Sequence, residues 1–195
     1  LSRCRRITAE IAALLEARLE GETEQQPAVF IFGAGHVGKA LADALSLLPL
    51  TLTVVETRES ELRDLPSVVA SILTPMPEAF VPKIPVNGAA IIVTHDHALD
   101  FLIAKEALAR DDLAYVGMIG SKTKRVTFAH WLEREGEPPS RLAKLTLPIG
   151  GTSVRDKRPA VIAALVAAEL LQAFSAAEIR RNENRHAHPQ DQDHA

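Results

Sequence analysis

Three glycines and a carboxylate further along the chain have the spacing of a nucleotide site. Gly33, Gly35 and Gly38 form a G-x-G-x-x-G pattern directly after the apolar run 29–32, and Glu56 follows eighteen residues after Gly38. In dinucleotide-binding folds these glycines permit a tight turn, backbone approach to a pyrophosphate, and close packing of helix on strand. The acidic residue expected about 20 residues further on accepts hydrogen bonds from ribose hydroxyls. We predict that the glycine loop binds a phosphate-bearing ligand and that Glu56 binds its ribose.

The histidine inside this loop has two interpretations. A ring N–H of His36 could donate to a phosphate, or His36 could be a solvated loop residue. The loop as a whole could also serve packing alone. The glycine spacing does not match a P-loop, and the sequence has neither a G-x-S-x-G elbow nor a zinc-type set of cysteines. The pattern therefore predicts a binding surface for an anion and not a catalytic centre.

A second polar cluster follows the apolar run 89–94. His95, Asp96 and His97 are consecutive, and Asp100 comes three residues later. Such residues can bind a metal or move a proton. Alternatively, Asp96 caps the next helix while the histidines orient loops through hydrogen bonds. We predict that His95, Asp96 and His97 contact the ligand, and we assign no metal to them.

A third segment carries positive charge at the start of a predicted helix. Gly120 and Ser121 precede Lys122, Lys124 and Arg125. Ser121 can cap the helix, while the first-turn N–H groups and the three cations attract an anion. A solvated basic helix start is the alternative. We predict that all five residues form part of the ligand site.

These residues need a fold that brings them together. Apolar runs predict strands, and helical patterns follow several of them, the last beginning at Pro159 and ending near Phe174. This alternation predicts an α/β fold, an open parallel sheet with helices on both faces, Rossmann-like in form. Ligands of such sheets collect at the carboxyl ends of the strands. Four segments should therefore meet there: residues 33–38, 56–58, 94–100 and 117–125.

The domain organisation follows from the same pass along the chain. Residues 1–27 read as a helix near 8–20 and a polar linker, 28–174 as the sheet domain, and 175–195 as a polar tail that we predict to be disordered. Apolar residues surround most of the helix after Pro159, which suits a buried helix or a subunit contact, and we predict a homodimer.

Composition limits the choice of partners. The 195 residues are 47% hydrophobic and 24% charged with a net charge of −3, typical of one soluble domain. That charge gives no reason to expect nucleic-acid or membrane partners, and no apolar run approaches the roughly 20 residues of a membrane span. The single cysteine, Cys4, suits a reducing compartment, and we expect a cytoplasmic protein.

Taken in order, the motifs resemble the C-terminal domain of the XdhC/CoxI family, the xanthine dehydrogenase accessory proteins. The resemblance implies a chaperone and not an enzyme. It implies binding of molybdenum cofactor (molybdopterin), support of its sulfuration by a cysteine desulfurase, and its insertion into the molybdenum-binding subunit of xanthine dehydrogenase. It also includes Arg58 among the cofactor-binding residues. The matching segments are residues 32–38, 54–58, 94–100, 115–125, 148–150 and 158–163.

The sequence departs from the family pattern at its start. The glycine-rich cysteine motif of the family's usual N-terminal domain is not present, and Cys4 does not lie in such a motif. We expect the helix near 8–20 to be the tail of that domain. Two other functions stay open: an NAD(P)-dependent oxidoreductase with His95 or His97 as proton donor, and a regulatory module that senses a nucleotide.

Overall fold

Six strands form one parallel sheet in the computed structural model, which describes residues 26–187, with side-chain surroundings as far as residue 183. The strands are β1 (Ala28–Phe32), β2 (Thr51–Glu56), β3 (Ala70–Leu73), β4 (Ala89–Ile92), β5 (Tyr115–Met118) and β6 (Leu145–Thr146). The helices are α1 (His36–Leu45), α2 (His97–Ala109), α3 (Lys122–Arg134) and α4 (Pro159–Ala187). Short 3-10 segments cover Glu59–Leu62, Pro77–Lys83 and Pro139–Lys144.

The strand order is β3-β2-β1-β4-β5-β6, and every neighbouring pair is parallel. The last residue of β1, Phe32, pairs with Val55 of β2 on one side and with Ile92 of β4 on the other. The chain therefore builds outward from β1 in one direction and then returns to build in the other. Ligands of doubly wound sheets bind at this reversal, beyond the carboxyl ends of the strands.

Both faces of the sheet are covered by helices. Alternate residues of β1 point to opposite faces: Ile31 packs in one core cluster with α1 and α4, and Phe32 packs in a second with α2 and α3. The inner strands β1, β4 and β5 are buried on both faces, which explains their continuous apolar runs. The predicted Rossmann-like fold is confirmed.

The last helix is longer than the sequence indicated. It continues to Ala187, so the prediction of a helix end near Phe174 was wrong, and residues 175–187 are helical where disorder was predicted. The residues here include good helix formers such as Ala, Glu and Arg, and buried Ala177 still packs against the molecule. Residues 188–195 and the predicted helix near 8–20 lie outside the described part of the chain.

Helix α4 is more apolar over its length than the sequence analysis indicated. Among the residues described, one helical segment, Pro159–Glu183, is long enough and apolar enough to cross a membrane, judged by length and composition alone. In the structure its residues Ala163, Val166 and Leu170 are fully buried in the core cluster that includes α1. Only 22% of the most apolar stretch of this helix is buried, so most of α4 does not belong to the core.

Two strands differ from the sequence prediction. β3 begins at Ala70 and not at Val68, which is 73% exposed, because the turn at residues 66–69 precedes it. β6 was missed, since its two residues, Leu145 and Thr146, are too few to show any periodicity. β6 nevertheless matters for the site, because it carries residues 147–158 to the carboxyl edge of the sheet.

Candidate functional site

The glycine loop joins β1 to α1 and is held tightly at two of its three glycines. Gly33 has a φ of +109°, and a Cβ built there would lie 2.6 Å from the carbonyl oxygen of Val93. A Cβ on Gly38 would lie 2.0 Å from the carbonyl oxygen of Gly33. A side chain at either position would displace backbone. Gly33 and Gly38 are therefore required by the packing of the loop.

Gly35 is different, because the space beside it is open. Its φ is −68°, which any residue adopts, and nothing in the described structure lies within 4 Å of the position its Cβ would take. It stands at the N-cap position of α1 with no side-chain cap, so the first N–H groups of the helix face this space. The predicted pyrophosphate position is thus sterically accessible. His36 follows it and is exposed.

Glu56 ends β2 and ties that strand to the glycine loop. Its side chain is buried, with the residue only 3% exposed. Oε2 accepts a hydrogen bond from the Ala34 N–H at 2.7 Å, and Oε1 accepts from the Thr57 N–H at 2.8 Å and from its hydroxyl at 3.1 Å. The sequence reading predicted a ribose acceptor here. The structure shows that the same carboxylate also fixes the loop.

Arg58 lies over this carboxylate. Its backbone N–H donates to Oε1 at 3.1 Å, and its guanidinium reaches both oxygens at 3.3 Å, Nε to Oε1 and Nη2 to Oε2. Burial by itself would raise the pKa of Glu56, but the bonds from Arg58, Ala34 and Thr57 together lower it to about 2. Glu56 is therefore an anion throughout the neutral range.

The cluster after β4 divides into a cap and two exposed histidines. The Asp96 side chain accepts from the N–H groups of Ala98 at 2.8 Å and Leu99 at 3.4 Å, which caps α2. The contacts of Asp96 are therefore those of a helix cap, the alternative to ligand binding that the sequence left open. His95 and His97 are exposed beside it at the carboxyl end of β4. Their predicted contact with a ligand stays a prediction.

Lys124 was predicted to offer its charge to an anion, and the structure corrects this. Its ammonium donates to Oδ2 of Asp100, and both residues are buried. The other oxygen of Asp100 accepts from the N–H of Thr94 at 3.1 Å and from its hydroxyl at 2.7 Å. A buried carboxylate must be compensated, and Lys124 is the cation that does so. Its charge is not available to a ligand.

Arg125 is committed in a similar way. Its guanidinium donates to the carbonyl oxygens of Leu145 at 2.9 Å and Leu142 at 3.1 Å, which anchors β6 and the segment before it. Ser121 caps α3 as predicted, accepting from the Lys124 N–H at 3.2 Å. Of the three predicted cations, only Lys122 is exposed at the start of α3. Gly120 packs against the Lys124 side chain, where a Cβ would come within 2.6 Å.

Sequence reasoning missed other cations at this edge. Arg155 and Lys157 are exposed in the connection from β6 to α4, while their neighbour Arg158 pairs with Asp156, Nη2 to Oδ2, at 2.6 Å. The charged run was visible in the sequence. Its position at the carboxyl edge could not be predicted, because the two residues of β6 show no strand pattern in the sequence.

The arrangement is suited to holding an anionic ligand. The loops after β1, β2, β4, β5 and β6 all lie at the carboxyl edge of the sheet, as the sequence predicted for the first four. Open helix N–H groups and exposed histidines follow β1 and β4 at the reversal point, and Lys122 follows the next strand, β5. Within residues 26–187 no group of three or more His, Cys, Asp or Glu side chains is placed to hold a metal ion.

A separate cavity of ≈ 930 Å³ lies at the opposite edge of the sheet. It is bounded by the amino ends of β1 and β2 and by the second half of α4. It shares no residue with the glycine loop. Its lining is mixed, with apolar residues beside the polar and charged Gln26, Thr51, Asn87, Ser175, Glu178 and Arg181. The lining includes Pro27, Pro49, Pro85, Val86, Leu171 and Phe174.

Comparison with known proteins agrees with the fold. Residues 29–170 match the family described as the XdhC Rossmann domain. The protein YqeB of Escherichia coli K12, which is uncharacterized, is 28% identical over 161 residues, spanning 75% of this chain and 27% of its own length. A solved structure described as a xanthine dehydrogenase from Bacillus halodurans superposes with a TM-score of 0.63 at 24% identity, covering 77% of this chain and 43% of the other. The chain thus spans less than half the length of both relatives, and the superposition shows the shared fold.

Proposed function

Because the chain belongs to the XdhC family, to whose Rossmann domain residues 29–170 correspond, we propose that it is an accessory protein that binds molybdenum cofactor at the carboxyl edge of its sheet. Membership of this family indicates an accessory protein rather than a catalytic enzyme. The proposed role is to hold the cofactor during its sulfuration and to pass it to xanthine dehydrogenase. The observation that carries the proposal is the open space at Gly35, beside helix N–H groups that suit the cofactor's phosphate.

The partners in this proposal are a cysteine desulfurase, which supplies the sulfur, and the molybdenum-binding subunit of xanthine dehydrogenase. The chain would act in the cytoplasm as a homodimer. Exposed apolar residues on α4, Leu171 and Ile179, are consistent with a subunit contact on that helix. Size-exclusion chromatography with light scattering, repeated with Ile179→Glu, measures whether the dimer exists and whether α4 forms it.

The test of cofactor binding uses a substitution that the fold tolerates. Gly35→Leu fills the open space without backbone strain, since its φ is −68° and no atom lies within 4 Å. Ala109→Leu places a leucine side chain at an exposed position at the end of α2, on the opposite edge of the sheet. Each protein is mixed with freshly released molybdenum cofactor and gel-filtered, and the oxidised fluorescent pterin in the protein fraction is measured.

We expect wild-type protein and Ala109→Leu to retain the pterin and Gly35→Leu to lose it. Equal retention by all three would place the cofactor elsewhere on the chain, and no retention by any would refute binding by this chain. The oxidoreductase alternative is tested separately. It requires a change in NADH absorbance at 340 nm with a carbonyl substrate, whereas a nucleotide sensor would bind without turnover.

A further inference from the structure

The cavity at the amino edge of the sheet exposes apolar side chains to a concave space. Its volume of ≈ 930 Å³ lies within the range of about 300–1,000 Å³ that is usual for binding pockets. The apolar part of its wall consists of Pro27, Pro49, Pro85, Val86, Leu171 and Phe174. Val86, on the strand side, is 67% exposed, and Leu171, on α4, is 45% exposed. Large apolar side chains that are exposed together around a concave space mark a contact surface.

Helix α4 forms one wall of this cavity because it is much longer than the helix beside it. At 1.5 Å per residue its 29 residues span about 43 Å, against about 15 Å for the 10 residues of α1. Ala163, Val166 and Leu170 join α4 to the core cluster that includes α1. The rest of α4 reaches beyond the end of α1 to the amino edge, where Leu171 and Phe174 line the cavity.

The chain that precedes β1 starts from the rim of this cavity. Gln26, the first residue that the structure describes, lines it. In residues 7–19 the large apolar side chains recur at positions i, i+4, i+7, i+8 and i+12, the spacing of one helix face. They are Ile7, Ile11, Leu14, Leu15 and Leu19. The six residues 20–25 connect this segment to Gln26 and span at most about 20 Å, so segment 7–19 stays within reach of the cavity.

Charge and tethering both favour this segment as the occupant. The cavity wall includes a carboxylate, Glu178, and a guanidinium, Arg181, and the segment also contains both charges, Glu10 and Arg18. A short tether gives an attached segment an effective concentration of about millimolar, which a separate partner lacks. The other end of the chain is less suited to an apolar wall, because residues 184–195 contain no Val, Ile, Leu, Met or Phe.

We propose that segment 7–19 docks as a helix in the amino-edge cavity, with its apolar face against Leu171, Phe174 and the prolines of the strand side. Docking covers apolar surface of α4 at the edge of the sheet opposite the glycine loop, and it leaves the carboxyl edge open. The inference is therefore independent of the proposed cofactor site. Ile179 is exposed and does not line the cavity, so the subunit contact proposed for α4 can form at Ile179 while the segment is docked.

Hydrogen exchange of the full chain, followed by mass spectrometry, tests the docking. A helix of about thirteen residues is marginal in water on its own, so slow exchange in segment 7–19 reports contact with the rest of the molecule. We expect its amides to exchange at least about tenfold more slowly in the protein than in a synthetic peptide of the same sequence. Exchange as fast as that of the peptide would overturn the proposal.

Two substitutions place a charge on either side of the proposed contact. Leu171→Glu alters the cavity wall, and Leu14→Glu alters the apolar face of the segment. Glu is a good helix former, so neither change acts through helix propensity. Each should remove at least about four fifths of the protection, because a docked carboxylate would lose its hydration. Protection that survives either substitution would overturn the proposal.

The controls place the same side chain just outside the contact. Gln172→Glu lies next to Leu171 but outside the cavity lining, and Ala13→Glu lies on the opposite side of the predicted helix. Both should retain the protection of segment 7–19. Ile179→Glu should retain it too, which separates docking of the segment from dimerisation. Docking within one chain is independent of protein concentration, so protection that falls on dilution would overturn the proposal and assign the cavity to a second copy.

Discussion

Acidification should destabilise the protein through Glu56 in a way that a Glu56→Gln variant does not show. Its pKa falls from an ordinary 4.5 to about 2 on folding, and a difference of this size corresponds to about 3 kcal/mol of stability. Because the folded pKa is the lower one, the stabilisation is complete above pH 4.5 and is lost as the pH falls toward 2. About 1.4 kcal/mol should be lost by pH 3.5 and about 2 kcal/mol by pH 3.

The assay is urea unfolding at pH 7, 5, 4 and 3.5, followed by circular dichroism. At pH 7 the Gln variant should be less stable than wild type by about 3 kcal/mol, since its amide cannot replace the anion that holds Ala34 and Arg58. The gap should shrink to about half of that by pH 3.5. Other carboxylates with lowered pKa values, such as Asp111 and Asp156, titrate in both proteins and cancel in the comparison.

The matched control is Glu59→Gln, because Glu59 is an exposed carboxylate near Glu56 with none of its buried contacts. Its unfolding free energy should follow that of the wild type at every pH. A gap between wild type and Glu56→Gln that stays constant from pH 7 to pH 3.5 would refute the reasoning. It would mean that the donors around Glu56 do not hold its proton affinity below the ordinary value.

Three further predictions concern the same edge of the sheet. Asp100→Ala should cost about 3–5 kcal/mol in urea unfolding by leaving the Lys124 ammonium buried and unpaired; Asp100→Leu with Lys124→Met should recover most of this, and a double variant as unstable as the single one would contradict it. Gly33→Ala should lower the free energy of unfolding by at least about 1–3 kcal/mol, because its φ is +109° and its Cβ would contact backbone; a melting temperature equal to that of wild type would contradict the loop geometry. Asp96→Ala should cost about 1 kcal/mol in thermal unfolding through loss of the α2 cap, and no change would show that the cap is not stabilising.

The sequence was sufficient for the parallel α/β architecture and for the position of the glycine loop. Continuous apolar runs and glycine spacing are local signals, since each strand and each turn is specified by neighbouring residues. The predictions that failed also have local causes. β6 is too short to have a period, and the end of α4 shows no breaker, only polar residues that still favour a helix.

The candidate site was predictable only in part. Gly33, Gly38 and Ser121 could be assigned their roles because those roles depend on the residue's own backbone or on the next turn of helix. Lys124 could not, because its partner Asp100 lies 24 residues away and meets it only when α2 and α3 pack against the sheet.

The sequence by itself therefore determined the parallel α/β fold, the family, and the edge of the sheet at which the candidate residues meet. Tertiary structure alone decided which charges at that edge remain unpaired by distant residues. Lys124 and Arg125 are committed to distant partners, and Glu56 accepts from Ala34, 22 residues away, as well as from its neighbours. The reason is that a hydrogen bond or ion pair acts over about 3 Å, so its existence depends on packing that residue type and spacing do not encode.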